Sequence, residues 1–244
     1  MKKLAVFDLD GTLYDGNIIT GYLLHHRKHR VNRLPLYTYF ASHSILIPLW
    51  KLGVLSEVTT REMWARDLSW ATVGMSEESG RRCFEWIGSN YVIPLIRNDV
   101  FEWVGKHSND GYQAILVSGT PSPLLEIIAN KLGFHEFVGT PLKVANGNYT
   151  GRIELPTAQG KGKVERLKRH LGKDVNDVDW KSSFAYSDSI TDEPLLGLFG
   201  NPIAVYPDPK LAGIARKSGW TILGEIRDPQ KRKMNDGIEK VKTS

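Results

Sequence analysis

The composition of this chain is that of an ordinary globular protein. Its 244 residues are 41% hydrophobic and 24% charged, which argues against a disordered, collagen-like or coiled-coil protein and allows one large domain or two smaller ones. The net charge of +5 suits an anionic ligand, and the single cysteine, Cys83, excludes a disulfide framework and a cysteine-rich zinc site. The apolar run after the two N-terminal lysines stops at Asp8, which is too short for a signal peptide, so we expect a cytoplasmic protein.

The first predicted element is a buried strand over residues 4–7, and two acidic residues follow it closely. Asp8 and Asp10 are succeeded by Gly11 and Thr12. Carboxylates are costly to bury without a partner, but the carboxyl ends of parallel strands are where open α/β sheets bind their ligands. A metal ion is the simplest partner for two such acids. We therefore expect Asp8 and Asp10 to form the reaction centre.

The next stretch, from about residue 18 to residue 91, has helical periodicity and no strand alternation. We interpret it as a helical unit inserted after the first strand, with tryptophans that belong to its core. Within it, residues 34–50 contain no Asp, Glu, Lys or Arg, but the segment is short for a membrane span and is interrupted by Pro35 and Pro48. A buried or amphipathic helix pair is therefore the preferred prediction, and we expect no stable membrane insertion.

The densest basic run of the chain lies in the same unit, at residues 25–30, with the sequence HHRKHR. Two interpretations are open: a patch that binds an acidic partner or a membrane surface, and a solvated helix face. We favour the solvated face because charge runs most often have that role. The spacing of the histidines is too irregular to indicate a zinc site.

The rest of the chain alternates between short apolar strands and helices. Predicted helices cover residues 100–107, 123–132 and 164–171, and a β-hairpin covers residues 142–153. Predicted strands cover residues 114–117, 137–138, 184–186 and 203–206, with a further candidate at residues 221–223. This alternation predicts an α/β protein with a Rossmann-like, doubly wound parallel sheet. The core would comprise residues 1–16 and 95–226, the helical cap residues 17–94, and a solvated basic tail, with Lys231-Arg232-Lys233, residues 227–244.

Three of the predicted strands end in polar residues: the first before Asp8, the second before Ser118 and Gly119, and a later one before Ser187 and Asp188. In a parallel sheet these ends converge on one crevice. Lys163 lies at a glycine-rich helix start, so the crevice would combine acids, a hydroxyl, free backbone N–H groups and an ammonium. That combination suits phosphoryl transfer, in which carboxylates hold Mg²⁺, one carboxylate attacks phosphorus, and the other groups neutralise the phosphoryl oxygens.

Each of these signals also has a plainer structural interpretation. Asp10 and the two residues after it could form a turn and a helix cap. Ser118 or Thr120 could cap the helix that follows the second strand. Asp188 and Asp192 fit a helix N-cap and an acid in a first helical turn, while Lys163 fits a solvated helix lysine. The occurrence of all four signals at matching strand ends favours the functional interpretation.

The four motifs resemble, in order, those of the haloacid dehalogenase superfamily of phosphohydrolases. The motifs are residues 8–13 (DLDGTL), residues 116–119 (LVSG), residues 160–163 (GKGK) and residues 186–192 (YSDSITD). The helical insert between the first two motifs, and the hairpin segment at residues 148–151, are similar to the phosphoserine-phosphatase-like subclass. The resemblance covers about residues 3–206, and four motifs in register make it specific.

The resemblance implies a role for each motif residue. Asp8 would be the nucleophile and a Mg²⁺ ligand, and Asp10 the general acid and then the base, with its backbone carbonyl on the metal. Asp188 would be the remaining protein ligand of the metal, and Asp192 would hold the metal waters or Lys163. Ser118 and Gly119 would bind phosphate. Lys163 would pair with Asp8 and phosphate, and Lys161 is the alternative lysine.

The cap would exclude water and select the substrate, and its size suits a small phosphorylated metabolite better than a protein or nucleic acid. The sequence after the first motif has no glutamate pair like that of phosphoserine-specific relatives, and Asp15 is only a loose equivalent. Arg61, Arg66 and Arg97 are possible readers of an anionic group. The alternatives are a phosphoserine phosphatase proper, a phosphotransferase with an acceptor other than water, and a membrane-surface or acidic-partner binding protein on an inactive hydrolase scaffold. The sequence does not indicate an oligomeric state.

Overall fold

The computed structural model describes residues 1–227, apart from the side chains of residues 57 and 58. The predicted basic segment around Lys231-Arg232-Lys233 lies outside the described residues. Within residues 1–227 the strands are β1 (Leu4–Phe7), β2 (Gln113–Pro121), β3 (Glu136–Thr140), β4 (Leu142–Ala145), β5 (Asn148–Ile153), β6 (Phe184–Ser187), β7 (Asn201–Val205) and β8 (Thr221–Leu223).

The main sheet of the described chain is parallel throughout, with the strand order β3-β2-β1-β6-β7-β8. β1 lies at its centre, where Val6 pairs with Ile115 of β2 and Ala185 of β6. The strand order reverses between β1 and β6, and such a switch point opens a crevice at the carboxyl ends of the strands. β4 and β5 form a separate antiparallel hairpin. The predicted α/β class and Rossmann-like parallel sheet are confirmed.

The helices between β1 and β2 begin with α1 (Ile18–His29), α2 (Arg33–Ser44), α3 (Leu46–Lys51), α4 (Glu57–Asp67) and α5 (Glu77–Ile87). α6 (Asn98–Asn109) then leads into β2. Ser76 caps α5 by accepting a hydrogen bond from the N–H of Ser79, as its position before two glutamates indicates. The later helices are α7 (Ser122–Lys131), α8 (Lys161–Leu171), α9 (Glu193–Leu196) and α10 (Pro209–Ser218).

The four side chains of β1 are fully buried because helices cover both faces of the sheet. Ala5 and Phe7 belong to a hydrophobic cluster that extends into the helices between β1 and β2. Leu4 and Val6 point to the opposite face and belong to a second cluster with Leu167 of α8. This packing fixes the end of β1, and with it the position of Asp8.

Residues 34–50 form a helix pair, α2 and α3, but much of its apolar surface is exposed. α3 has no buried residue, and Leu34, Ile45 and Trp50 are exposed. None of the helices in residues 1–227 has both the length and the apolar character that a membrane-spanning helix needs.

The basic run at residues 25–30 is only partly a solvated face, so that prediction was wrong for its first two residues. His25 and His26 are buried, because α1 turns them toward α5, whereas Arg27, Lys28 and Arg30 are exposed. The Nδ1 atoms of His25 and His26 lie 3.1 Å apart, and Nε2 of His26 lies 2.7 Å from the carbonyl oxygen of Ala71. That carbonyl oxygen accepts a hydrogen bond from the Nε2–H of His26, which leaves Nδ1 of His26 to accept a hydrogen bond from the Nδ1–H of His25.

The ring nitrogens of His25 and His26 lie near the sulfur of Cys83, with the three potential ligand atoms within 4.8 Å of one another. The irregular spacing of these residues in the sequence gives no signal of this cluster. The hydrogen bonds within the histidine pair account for its geometry with neutral rings. Burial accordingly lowers the pKa of His25 to about 4 and also lowers that of His26.

Candidate active site

The polar residues predicted at the strand ends line a single cavity of about 610 Å³. Asp8 and Asp10 follow β1, Ser118 and Gly119 lie in the carboxyl-terminal half of β2, and Asp188 follows β6. Lys163 and Asp192 also line this cavity. The seven predicted site residues therefore meet in one place, as the convergence of parallel strand ends requires.

Lys163 joins two of the acids at the base of the cavity. Its Nζ lies 2.7 Å from Oδ1 of Asp8 and 2.6 Å from Oδ2 of Asp192, and all three side chains are buried. Burial by itself lowers the pKa of Lys163, but the charges of Asp192 and Asp8 outweigh it, so the ammonium remains charged. Lys161, the alternative lysine, is exposed at the start of α8.

Asp192 is held from two sides, since the hydroxyl of Ser187 donates to its Oδ2 at 2.6 Å, the same oxygen that Lys163 contacts. Its other oxygen, Oδ1, is buried without a hydrogen-bond partner among the described residues. A buried carboxylate oxygen without a partner can accept a hydrogen bond from a ligand, a bound water or a metal-bound water.

Asp188 lies beside Asp8, and Thr12 joins the two. The hydroxyl of Thr12 lies 3.4 Å from Oδ2 of Asp8 and 3.2 Å from Oδ1 of Asp188. The guanidinium of Arg227 contacts Oδ2 of Asp188 and the carbonyl oxygen of Gly11. Arg227 is the residue at which the sequence placed the start of a solvated tail, and no motif signals its contact with the site.

The acids outnumber the cations that neutralise them. Burial raises the pKa of Asp8 well above its usual range, and the charges of Asp192 and Asp188 add to this effect, while Lys163 opposes it. Asp8 and Asp188 offer carboxylate oxygens, and Arg227 contacts both Asp188 and the carbonyl oxygen of Gly11. An all-oxygen donor set suits Mg²⁺. The cationic group of Arg227 already lies on Asp188, so the residues present fit a divalent cation at this position.

Asp10 has a separate environment at the start of the cap. The hydroxyl of Tyr14 donates to its Oδ1 at 2.6 Å, and the N–H of Ile18, the first residue of α1, donates to its Oδ2 at 3.3 Å. Burial raises the pKa of Asp10 to about 6, although these hydrogen bonds oppose the shift. Asp10 is therefore poised to hold or release a proton near neutral pH. Tyr14 is a site residue whose contact the sequence does not signal.

The absence of a side chain at Gly119 leaves room for the side chain of Gln159. A Cβ atom at Gly119 would lie 2.9 Å from Oε1 of Gln159, closer than such contacts occur. Gln159 also lines the cavity, and its amide donates to the hydroxyl of Thr191 at 3.2 Å. The hydroxyl of Ser118 is held by Thr120, whose N–H lies 3.2 Å from it. Ser118, Gly119 and Gln159 thus form a small polar wall of the cavity.

The cap supplies the other wall of the cavity, and that wall is largely apolar. Its aromatic members are Phe40, Trp50 and Trp64, joined by Ile47. The prediction that the cap tryptophans belong to the core is confirmed for Trp64, Trp70 and Trp86, which pack against the hydrophobic cluster. It is wrong for Trp50, which is 39% exposed. Both Trp50 and Trp64 line the cavity. The cavity lining therefore combines these apolar cap residues with the acids and the polar wall, so the site is amphipathic.

Of the three candidate arginines, Arg61 lines the cavity. Arg66 forms two hydrogen bonds with Asp67, at 2.7 and 2.8 Å. Arg97 binds Asp15 at 2.7 Å and lies over the ring of Tyr206. Neither Arg66 nor Arg97 is among the lining residues found in the described part of the chain.

A family model described as haloacid dehalogenase-like hydrolase matches residues 5–197. The chain belongs to this family. The match includes all four motifs and every predicted site residue, and it agrees with the observed convergence of Asp8, Ser118, Lys163 and Asp188.

Individual relatives of this hydrolase carry different substrate names. Over 144 residues the chain is 33% identical to phosphoserine phosphatase SerB1 of Mycobacterium tuberculosis, a match that covers 59% of this chain and 45% of the relative. Over 137 residues it is 30% identical to a histidinol-phosphatase of Neisseria meningitidis, with 55% and 62% covered. The chain thus spans about half to three fifths of the length of these curated relatives.

Among solved structures, a protein of unknown function from Bordetella pertussis Tohama I has the same fold along nearly the whole chain. The TM-score is 0.77 at 27% identity, and the match covers 92% of this hydrolase and 99% of that protein. The helices between β1 and β2 therefore belong to an arrangement that a second protein shares.

Proposed function

We propose that the chain is a Mg²⁺-dependent phosphatase that hydrolyses a phosphomonoester through an aspartyl phosphate on Asp8. The observation that carries this proposal is the pairing of buried Asp8 with Lys163 at 2.7 Å, beside Asp10 in its separate, proton-holding environment. Two neighbouring acids with different surroundings suit two different tasks. Family membership and the phosphatase names of the two relatives support the same reaction class.

In the first half-reaction, a carboxylate oxygen of Asp8 forms a bond to phosphorus while the bond from phosphorus to the leaving oxygen breaks. Asp10 gives its proton to that leaving oxygen. In the second half-reaction, Asp10 takes a proton from a water molecule, whose oxygen attacks phosphorus and releases Asp8 and inorganic phosphate. Tyr14 and the N–H of Ile18 orient Asp10 for both transfers.

Lys163, Ser118 and the backbone near Gly119 neutralise the phosphoryl oxygens in the transition state. Asp8, Asp188 and the backbone carbonyl of Asp10 would hold Mg²⁺, which when bound offsets the charge of the acids and the phosphate. Asp192 holds Lys163 in place through the contact at 2.6 Å.

The leaving group would lie against the apolar cap wall with Arg61 beside it. This arrangement does not favour phosphoserine, because Asp15, the loose equivalent of the acidic residue that phosphoserine-specific relatives use, is paired with Arg97 away from the cavity lining. No observation favours transfer to an acceptor other than water. The complete set of acids argues against an inactive scaffold, which would need no buried, partnered carboxylates at these positions.

The test is the replacement Asp8→Asn, assayed with p-nitrophenyl phosphate and Mg²⁺. We expect the loss of at least about 1,000-fold in kcat because the amide lacks the nucleophilic carboxylate. Circular dichroism and a thermal melt of the variant should show a folded protein. Asp15→Asn, a change in an exposed acid outside the cavity, is the matched control and should retain activity. Wild-type activity in Asp8→Asn would exclude the aspartyl-phosphate mechanism.

A further inference from the structure

The outer face of α2 is unusual because it has no charged side chain. Its exposed residues include Leu34, Tyr37, Ala41 and Ser42, which recur at helical spacing, and Ile45 follows at the end of the helix. A surface helix in a water-soluble protein normally presents charged and polar residues on its outer face. Here Leu34 is 77% exposed and Ile45 64% exposed.

The apolar surface continues through α3 and the loop after it. α3 buries none of its residues, and Trp50, Leu52 and Val54 are all exposed. We call this surface, formed by Leu34, Tyr37, Ile45, Trp50, Leu52 and Val54, the α2–α3 face. A group of large apolar residues left exposed along consecutive elements, in contrast to single scattered ones, is typical of a site of interaction.

The segment of sequence that contains the α2–α3 face has basic residues and no acidic ones. Residues 16–56 contain five Lys and Arg residues and no Asp or Glu, whereas the whole chain has 32 Lys and Arg against 27 Asp and Glu. The basic and acidic totals of the rest of the chain are therefore equal, and this segment accounts for the whole net charge of +5. The five are Arg27, Lys28, Arg30, Arg33 and Lys51.

The basic residues flank the apolar ones. Arg27, Lys28 and Arg30 are exposed where α1 ends, Arg33 begins α2, and Lys51 is exposed at the end of α3. Exposed apolar and aromatic residues with lysine and arginine before and after them in sequence are the residue types that favour a membrane interface. At 12 residues, or about 18 Å, α2 is too short to cross the bilayer, so it would lie on the surface.

The α2–α3 face is also continuous with the reaction cavity. Trp50 belongs to the face and to the cavity lining, and Ile47, which is 37% exposed, lines the cavity beside it. Apolar side chains therefore extend from the exposed face into the lining of the cavity that also contains Asp8 and Asp10.

We propose that the α2–α3 face binds the surface of an anionic lipid bilayer and that the substrate is an amphipathic phosphomonoester drawn from that surface. The phosphate would reach Asp8, and the apolar part would lie against Ile47 and Trp50. The flanking basic residues supply the charge complementarity, and Trp50 and Tyr37 are residue types that favour the membrane interface. The substrate class rests on the proposed phosphatase function, but binding to the bilayer does not.

The binding test uses the full chain with vesicles of phosphatidylcholine alone and of phosphatidylcholine with phosphatidylserine. We expect co-sedimentation with the anionic vesicles at low salt and weaker binding at high salt. Ile45→Glu should weaken binding at least about tenfold, since a charge enters the apolar face. Leu155→Glu is the matched control, because Leu155 is also 64% exposed and lies in the segment after β5. No binding by the wild type, or equal loss in both variants, would overturn the proposal.

A second pair of variants tests the role of charge. Arg27→Glu/Lys51→Glu reverses two residues that flank the face, and Lys173→Glu/Arg216→Glu reverses two exposed residues elsewhere, with the same change in net charge. Each basic residue near an anionic surface contributes roughly fivefold to binding, so the first variant should lose at least about 25-fold. The control should lose much less. Equal losses would show that only net charge matters and would overturn the assignment of the face.

The activity test compares lysophosphatidic acid in anionic vesicles with soluble p-nitrophenyl phosphate. Ile45 does not line the cavity, so Ile45→Glu should lower activity on the vesicle substrate about tenfold, in parallel with its loss of binding, and leave p-nitrophenyl phosphate hydrolysis unchanged. Wild-type hydrolysis of p-nitrophenyl phosphate without hydrolysis of the lipid would overturn the substrate class and leave the proposed phosphatase intact. A wild type that hydrolyses neither the lipid nor p-nitrophenyl phosphate would instead contradict the proposed phosphatase function.

A second copy of the chain is the competing occupant of the α2–α3 face. Sedimentation equilibrium of the wild type and of Ile45→Glu distinguishes it. A wild-type dimer that Ile45→Glu dissociates, together with no vesicle binding by the wild type, would overturn the proposal. A wild type that remains monomeric in solution and binds anionic vesicles supports it.

Discussion

Lys163 illustrates how a single position within a short motif acquires its chemistry. It lies two residues after Lys161 in the same glycine-rich turn, yet Lys163 is 2% exposed and Lys161 is exposed. The difference arises because α8 begins at Lys161, so the side chain two positions further points inward to Asp8 and Asp192. The residues around the acids, including Thr12 and Tyr14, depend on equally local geometry.

We expect Lys163→Met to abolish activity and to destabilise the fold, because it leaves Asp8 and Asp192 buried without their cation. The loss should be at least about 100-fold in kcat/KM. The free energy of unfolding should fall by about 3 kcal/mol, as when one partner of a buried pair is removed. The measurements are p-nitrophenyl phosphate hydrolysis and urea denaturation.

Lys161→Met is the matched control for that prediction. The same substitution two residues earlier, on an exposed side chain, should change neither quantity appreciably. A larger effect in Lys161→Met than in Lys163→Met would reverse the assignment of the lysine.

Several elements build the site: the ends of β1, β2 and β6, the start of α8 and the segment after β8. The last of these brings Arg227 onto Asp188, where a divalent cation would also bind. The start of α1 brings the N–H of Ile18 to Asp10 and so links the cap to the acid. The contact of Arg227 with Asp188 joins segments 39 residues apart, whereas the contact of Ile18 with Asp10 spans only eight residues.

We expect Arg227→Ala to lower the Mg²⁺ concentration needed for half-maximal activity, because the guanidinium and the metal compete for the carboxylate of Asp188. Two cations cannot both occupy that position without strong repulsion. A titration of p-nitrophenyl phosphate hydrolysis against Mg²⁺ measures the effect, which should be about threefold to tenfold. Arg216→Ala, on the exposed face of α10, is the control. A higher Mg²⁺ requirement in Arg227→Ala would mean that Arg227 helps to hold the metal site together.

The buried histidine pair of α1 gives the cap a dependence on pH. The folded-state pKa of His25 is about 4, below the ordinary value of 6.5, because the ring is buried and next to His26 and His29. Below pH 6.5 the unfolded chain therefore binds a proton that the folded chain does not, so stability falls as the pH falls from about 6.5 to about 4. Above pH 6.5 the stability that comes from the neutral ring of His25 is fully present.

Between these pH values we expect His25 to lower the free energy of unfolding by about 1 to 2 kcal/mol. This is less than the full pKa shift of His25 implies, because the neighbouring His29 is exposed to solvent, which screens its charge. Urea denaturation at pH 7 and pH 5 measures it. His25→Asn should be less stable at pH 7 but less dependent on pH, whereas His135→Asn, at an exposed position, should retain the wild-type dependence. Identical pH dependence in His25→Asn and the wild type would exclude the histidine as the cause.

For the whole molecule, the cap and the sheet share one hydrophobic cluster. Phe7 and Leu116 of the sheet belong to the same cluster as Tyr22, Tyr39 and Phe84 of the cap. Elements that bury their apolar surfaces against one another lose that stabilisation together when either unfolds.

We therefore expect the cap and the core to unfold in a single cooperative transition. Differential scanning calorimetry should give a calorimetric enthalpy equal to the van't Hoff enthalpy, with one heat-absorption peak. Phe7→Ala, which removes a ring stacked on Tyr186 at 4.4 Å, should shift the whole peak downward and remain a single transition, with a loss of about 3 to 5 kcal/mol. Two separate peaks in the wild type would contradict the shared cluster.

The sequence by itself determined the sheet and the acids at its edge. Apolar runs that end in Asp8, Ser118 and Asp188 predict parallel strands and their convergence, because strand burial and strand-end polarity are local properties of a few consecutive residues. The four motifs that indicate phosphoryl transfer are also short runs of consecutive residues, so they can be recognised in the sequence. These predictions required no knowledge of how distant segments pack.

Which side chains complete the site, and which surfaces remain exposed, depends on how distant segments pack. Arg227 reaches Asp188 across 39 residues of sequence, and Tyr14 reaches Asp10 because the loop after β1 folds back. Burial of His25 and exposure of Trp50 likewise depend on which neighbours pack against α1 and α3. The composition of a segment such as residues 34–50 is the same whether its apolar residues pack inward or face outward, so only the packing could show that many of them face outward.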